Sequence, residues 1–260
     1  MALYDYRRGL VGWAAGMFAG ILLMSSFFPW LIGMEGLDEL LADYPEALLS
    51  LFGMEPGTDF TTAIGYVETE IFSLIVPLTM IGFGVAVGAR FVAGEEERGT
   101  IGLTLARPVP RWRFVLAKAG ALAVLAVALG AVVGVALLLA GPVFRLNLPV
   151  ENLAAAVAAT TALAVLFGWL ALGAGAATGR RAVAGGAGWG LAALAYLWNG
   201  LTPLVSGLTE LTWLSPYEWA LGGHPLRTGF DPAGLGWLAA ASVVVLALGV
   251  VAFTRRDLAA

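Results

Sequence analysis

Six stretches of this 260-residue chain run at least 19 residues without a charged side chain: Gly9 to Met34, Ile71 to Ala89, Ala119 to Phe144, Asn152 to Gly179, Ala182 to Thr209 and Pro232 to Thr254. A helix rises about 1.5 Å per residue and the hydrocarbon core of a bilayer is about 30 Å thick, so about 20 apolar residues cross it. The spacing predicts an all-α, polytopic membrane protein with six transmembrane helices at about residues 10–34, 68–92, 115–141, 152–178, 182–203 and 233–254. Composition agrees, since 60% of residues are hydrophobic and 12% charged, against about half and about a quarter in soluble domains. The first apolar stretch is longer than the roughly 7–15 residues of a signal peptide and has no small-residue cleavage site, so it is expected to stay as a span. Residues 1–260 read as a single transmembrane domain.

Charge placement then gives the chain two sides. In a six-span chain, Arg7, Arg8, Arg90, Arg98, Arg107, Arg111, Arg113, Lys118, Arg180, Arg181, Arg255 and Arg256 share one side, and only Arg145 and Arg227 fall on the other. The positive-inside rule puts those twelve, with both termini, in the cytoplasm. Acids do the reverse: thirteen of 18 lie outside, nine of them between Glu35 and Glu70. Acidic residues contribute little to orientation, so this outer charge reads as a solvated acidic surface.

The connections are uneven in what they tell. In the outer loop, 35–67, Leu37, Leu40, Leu41 and Tyr44 recur at helical spacing, and Leu48, Leu51 and Phe52 resume the stripe after Pro45, which predicts short amphipathic helices against the membrane surface. Span five is interrupted by Asn199, Gly200, Thr202 and Pro203, and a proline removes a backbone donor, so the crossing is expected to end near Asn199. The apolar residues beyond it, among them Leu208, Leu211, Trp213 and Trp219, suit a re-entrant or interfacial helical segment. His224, the sole histidine, is expected to be hydrogen bonded at the interface. Glycines recur four apart in several spans, including Gly12, Gly16 and Gly20, Gly84 and Gly88, and Gly186 and Gly190, a spacing that lets helices approach closely.

One cytoplasmic segment, 93–114, is sizeable. Glu95, Glu96, Glu97 and Arg98 follow span two, Gly99 allows a bend, and Ile101, Leu103 and Leu105 offer an apolar face before Pro108 and Pro110. Their alternation fits a short helix or an extended strand, and the segment reads either as a surface for a protein partner or as a loop among lipid headgroups. The run Gly94-Glu-Glu-Glu-Arg-Gly-Thr, with Leu-Ala-Arg-Pro-Val-Pro-Arg from Leu105 and Lys118 beyond, resembles the cytoplasmic loop of ABC transporter permeases of the type-2 exporter family. The resemblance extends over nearly the whole chain, with Pro110 standing where that family commonly has a small polar residue.

The resemblance implies a permease subunit of an ABC exporter in the cell membrane, with a coupling helix between spans two and three. It also implies a partner ATP-binding subunit and a second permease subunit, identical or not, with ATP and Mg bound on the partner and no cofactor on this chain. Glu95, Glu96, Glu97, Arg98, Gly99, Thr100, Ile101, Leu103, Arg107, Pro108 and Arg111 are the residues it implies at the ATPase interface. Glu96 and Glu97 are expected to face solvent before docking, so that reversing their charge uncouples transport without unfolding the chain. Tyr196, Asn199 and Glu70 are candidates for the translocation pathway.

Other functions fit less well. No phosphate-cradling Gly-x-x-x-x-Gly-Lys-Ser/Thr run occurs, so ATP hydrolysis is expected on a separate chain. With no cysteine, one histidine and no paired acids in mid-span, neither an intramembrane hydrolase nor a thiolate metal site has its residues. A stand-alone secondary transporter or channel is the alternative. It usually carries ionisable groups within its spans, and only Glu68 and Glu70 lie close to one.

Overall fold

A computed structural model of the chain describes residues 7–32, 62–102, 110–202, 205 and 207–256. The amphipathic stripe expected in the outer loop, and Leu103, Arg107 and Pro108, lie outside the described residues. Every regular element within them is helical. We label these α1 (Arg7–Leu31), α2 (Ala63–Phe91), α3 (Ala93–Glu97), α4 (Arg111–Phe144), α5 (Val150–Thr178), α6 (Arg181–Leu201), α7 (Pro225–Thr228) and α8 (Pro232–Arg255). Five of them, α1, α2, α4, α5 and α8, are long and apolar enough to cross a membrane. The sixth long helix, α6, has 21 residues and is diluted by Gly185, Gly186, Gly188, Gly190 and Gly200.

The bundle is built around α5, which packs against α2, α4, α6 and α8. Glycine sets the distance at its closest contact. A Cβ on Gly84 would lie 2.4 Å from the Ala164 carbonyl oxygen, and one on Gly88 would lie 2.1 Å from that of Gly168. The α2 and α5 backbones therefore touch, as the Gly84 and Gly88 spacing predicted. The stripes Gly12, Gly16, Gly20 and Gly186, Gly190 instead face open space. Outside this core the surface is apolar, with Val124, Val127, Val135, Leu138 and Leu139 exposed along α4 and Val243, Val244 and Leu248 along α8. Contiguous apolar faces of that extent are avoided in water and are what lipid requires.

Helix α2 begins at Ala63, five residues ahead of Glu68, with Thr62 Oγ1 accepting from the Gly65 N–H at 3.1 Å. Its turns over Val67–Ile75 are π-helical, the wider form that recurs at functional sites. The opposite end of α2 breaks at Val92 and restarts as α3, which closes on Gly99 at φ +67°. There the Thr100 N–H reaches the Glu95 carbonyl and the Gly99 N–H that of Glu96, a Schellman closure whose left-handed residue is easiest for glycine. The turn sends Ile101 back into the core, where it is buried. Pro110 supplies the extended residue that opens α4, its carbonyl accepting from Arg113 and Phe114.

After α6 the chain folds back. Ser215 Oγ donates to the Ala195 carbonyl at 3.0 Å, Trp198 Nε1 to that of Leu211 at 2.9 Å, and the Thr202 and Thr212 hydroxyls meet at 2.9 Å. The segment from Thr209 to Ser215 thus retraces α6 from Thr202 to Ala195, which is about 10 Å along the helix axis. A π-helical turn, Glu218–Gly222, and α7 follow, and Asp231 caps α8 by accepting from the Ala233 N–H at 2.9 Å.

Candidate functional site

Two places, at opposite ends of α2, concentrate the polar chemistry. Five buried side-chain N or O atoms among the described residues have no hydrogen-bond partner. Glu95 Oε2 and Arg256 Nε are at one end, Thr69 Oγ1 and Asn199 Oδ1 at the other, and Ser25 Oγ is the fifth. Such atoms are rare in folded proteins and call for a reason.

At the first place, α3 is tied to three helices by three consecutive glutamates. Glu95 pairs with Lys118 of α4, whose ammonium also lies 5.3 Å and 5.4 Å from the ring centroids of Phe91 and Phe114. Glu96 pairs with Arg256 at the end of α8, and Arg111 at the start of α4 donates to the Arg256 carbonyl at 2.6 Å. Glu97 Oε1 accepts the Arg181 N–H at 2.8 Å, placing a carboxylate at the positive N-terminus of α6. Adjacent residues on a helix project about 100° apart, so three successive acids reach three different neighbours. A charge-assisted hydrogen bond of this kind contributes about 1.5–3 kcal/mol when shielded from water.

This geometry corrects one expectation. Glu96 does not wait in solvent: its side chain is 14% exposed and held by Arg256, in a space left by Gly179, where a Cβ would lie 2.6 Å from Glu96 Oε1. Glu97 is exposed, but its carboxylate caps α6. Reversing both charges would therefore break the bundle's own contacts. Of the interface residues implied by resemblance, Glu97, Arg98 and Gly99 are exposed, Ile101 is in the core, Thr100 is half-buried with its hydroxyl on the Glu95 carbonyl, and Arg111 serves Arg256.

At the second place, Glu68 holds the returning segment. Its Oε1 is 3.0 Å from His224 Nδ1, and its Oε2 accepts from Arg227 Nε at 2.6 Å. His224 is thus hydrogen bonded, as expected, from a left-handed backbone, φ 50°, that a residue with a Cβ adopts at a cost of about 1–2 kcal/mol. Asn152 of α5 donates to the Leu226 and Arg227 carbonyls at 2.9 and 3.0 Å. These contacts border a cavity of about 130 Å³, on whose wall Tyr196 and Asn199 meet Glu68, Thr69, Tyr217 and Glu218. Glu70 is not on that wall, because residues two apart on a helix face different ways. Sequence reasoning missed Arg227 and Arg256 as partners, although the isolation of Arg227 among outer acids was a usable sign.

A chain whose described residues fold as helices, five of them apolar and of membrane length, with an ion-paired junction at one end, is a multi-pass membrane protein. It matches the model of the ABC-2 family transporter proteins over residues 4–258, and it belongs to that family of membrane permease domains. Members of the family are non-catalytic transmembrane subunits, and membership implies an ATP-binding partner subunit. Comparison with curated proteins returns no match.

Proposed function

We propose that the chain is the permease subunit of an ABC exporter and that α3 with the residues after it, 93–114, is the coupling element on which the ATP-binding subunit docks. In this reading α6 is a further crossing, giving six spans within one domain, 1–260, and the segment after α6 is re-entrant. Both termini and α3 face the cytoplasm, on the side that takes twelve of the fourteen basic residues. Two permease subunits assemble on two ATP-binding subunits, which carry ATP and Mg, and Tyr196, Asn199 and Glu70 contribute to the pathway.

The observation that carries this reading is the triple attachment of α3. A helix of five residues tied to Lys118, Arg256 and Arg181 cannot shift without moving α4, α8 and α6. Transmission needs a contact whose energy differs between two states. Closure of an ATPase pressed on the exposed Glu97–Gly99 tip has that lever, and the two unmet atoms in the network, Glu95 Oε2 and Arg256 Nε, leave bonds for the second state to make.

The test is affinity purification of the tagged chain from its native membrane in mild detergent, followed by identification of co-purifying chains and an ATPase assay. The expected result is a stoichiometric ATP-binding subunit with vanadate-sensitive activity. A lone chain without ATPase, under conditions that preserve a known ABC complex, would overturn the proposal and favour a stand-alone transporter.

A further inference from the structure

The cavity at the end of the bundle opposite α3 has a mixed wall on which some polar groups are left unmet. Glu68 is answered, since His224 and Arg227 hold both of its oxygens. Two other groups on the wall are not. Thr69 is 3% exposed with Oγ1 unpartnered, and Asn199 Oδ1 is likewise buried without a partner. An amide oxygen only accepts hydrogen bonds, and a hydroxyl accepts as well as donates, so the missing occupant brings N–H or O–H donors.

Charge narrows the class. The wall carries the acids Glu68 and Glu218 against Arg227, which is engaged by Glu68. An anion would meet the Glu218 carboxylate and the unmet acceptors, and a cation meets their complement. Tyr196 and Tyr217 pack edge to face at 5.5 Å between centroids on the same wall, and aromatic faces attract ammonium groups. Size narrows it again. About 130 Å³ exceeds the roughly 10–15 Å³ that one water position needs, and it falls short of the roughly 300–1,000 Å³ of sites for drug-sized molecules.

The geometry points to a binding site for a small organic ammonium group, its N–H donors directed to Asn199 Oδ1, Thr69 Oγ1 and the Glu218 carboxylate. A free primary amine and the ethanolamine headgroup of a phospholipid carry the same chemistry. The inference goes beyond the coupling reading and does not depend on it, because binding is measured on the permease alone.

The experiment titrates the purified full chain in amine-free detergent with ethylammonium chloride, following heat and thermal unfolding, with sodium chloride at equal ionic strength and propan-1-ol as controls. Saturable stabilisation by ethylammonium alone, weakened about tenfold or more in Asn199→Leu and Glu218→Gln, is the expected result. Thr69→Val, nearly isosteric, carries the same comparison if either variant does not elute as a monodisperse folded protein. Repeating the titration in phosphatidylethanolamine and in phosphatidylglycerol nanodiscs separates the sources. Loss of the ethylammonium response only in the former identifies the headgroup as occupant, and an equal response in both identifies a free amine. No saturable response in detergent, or one that all folded variants retain, overturns the proposal.

Discussion

Glu96 and Arg256 are 160 positions apart in the chain and form an ion pair with side chains 14% and 20% exposed, so it is largely shielded from water. Removing one charge strands the other, which costs more than the pair itself contributes. Glu96→Gln and Arg256→Gln are each expected to destabilise the purified protein by about 1–3 kcal/mol, and the double variant by clearly less than the two together. Thermal unfolding in detergent measures this cycle, and strict additivity would remove the pair from the account of the junction. The sequence announced the glutamates of α3 as important but not whom they serve, because their partners are 23, 84 and 160 positions away and only packing brings them near. Glu68 teaches the same lesson. Nothing in the local sequence separates it from Glu70, and it is the returning segment with His224 and Arg227 that selects one of them.

Helices were legible where the chain carried their boundaries. The charge-free intervals locate α1, α5 and α8 to within a few residues, since charges rarely enter a membrane unpaired, whereas α4 starts at Arg111, ahead of the interval that opens at Ala119. The same rule places the start of α2 too late: Glu68 lies within the helix because its charge is answered from outside it. The π-helical turns, the Schellman closure after α3 and the retracing of α6 by residues 209–215 depend on tertiary partners, and no local pattern encodes them. Glycine spacing was informative only in part, since one kind of pair meets a neighbouring backbone and another meets open space. This difference is measurable. Gly88→Ala puts a methyl 2.1 Å from the Gly168 carbonyl oxygen, so α2 and α5 must separate, and a loss of about 1–3 kcal/mol is expected. Gly16→Ala, with nothing within 4 Å, is expected to change stability by no more than about 0.5 kcal/mol. Equal melting temperatures for the two variants would mean that the α2–α5 contact is not the closest in the bundle.

For the whole molecule, sidedness connects the two sites to function, because an ATP-binding subunit can reach α3 only if that end lies in the cytoplasm. Lys118 and Arg256 form ion pairs with Glu95 and Glu96, Arg181 meets Glu97 through its backbone N–H and Arg111 holds the Arg256 carbonyl, so residues that the positive-inside rule counts also hold α3 in place. The coupling role proposed for α3 therefore requires that orientation. The absence of cysteine makes this directly testable, since any introduced thiol reports alone. Arg98 and Glu210 are both exposed and lie toward opposite ends of the bundle, and neither contributes to the ion pairs described above. In intact cells Glu210→Cys is expected to react with a membrane-impermeant maleimide, and Arg98→Cys only after permeabilisation. The inverse pattern would put α3 on the outer side, out of reach of any cytoplasmic ATPase. Labelling of both thiols from outside would require an even number of crossings between them and would remove α6 from the set of spans.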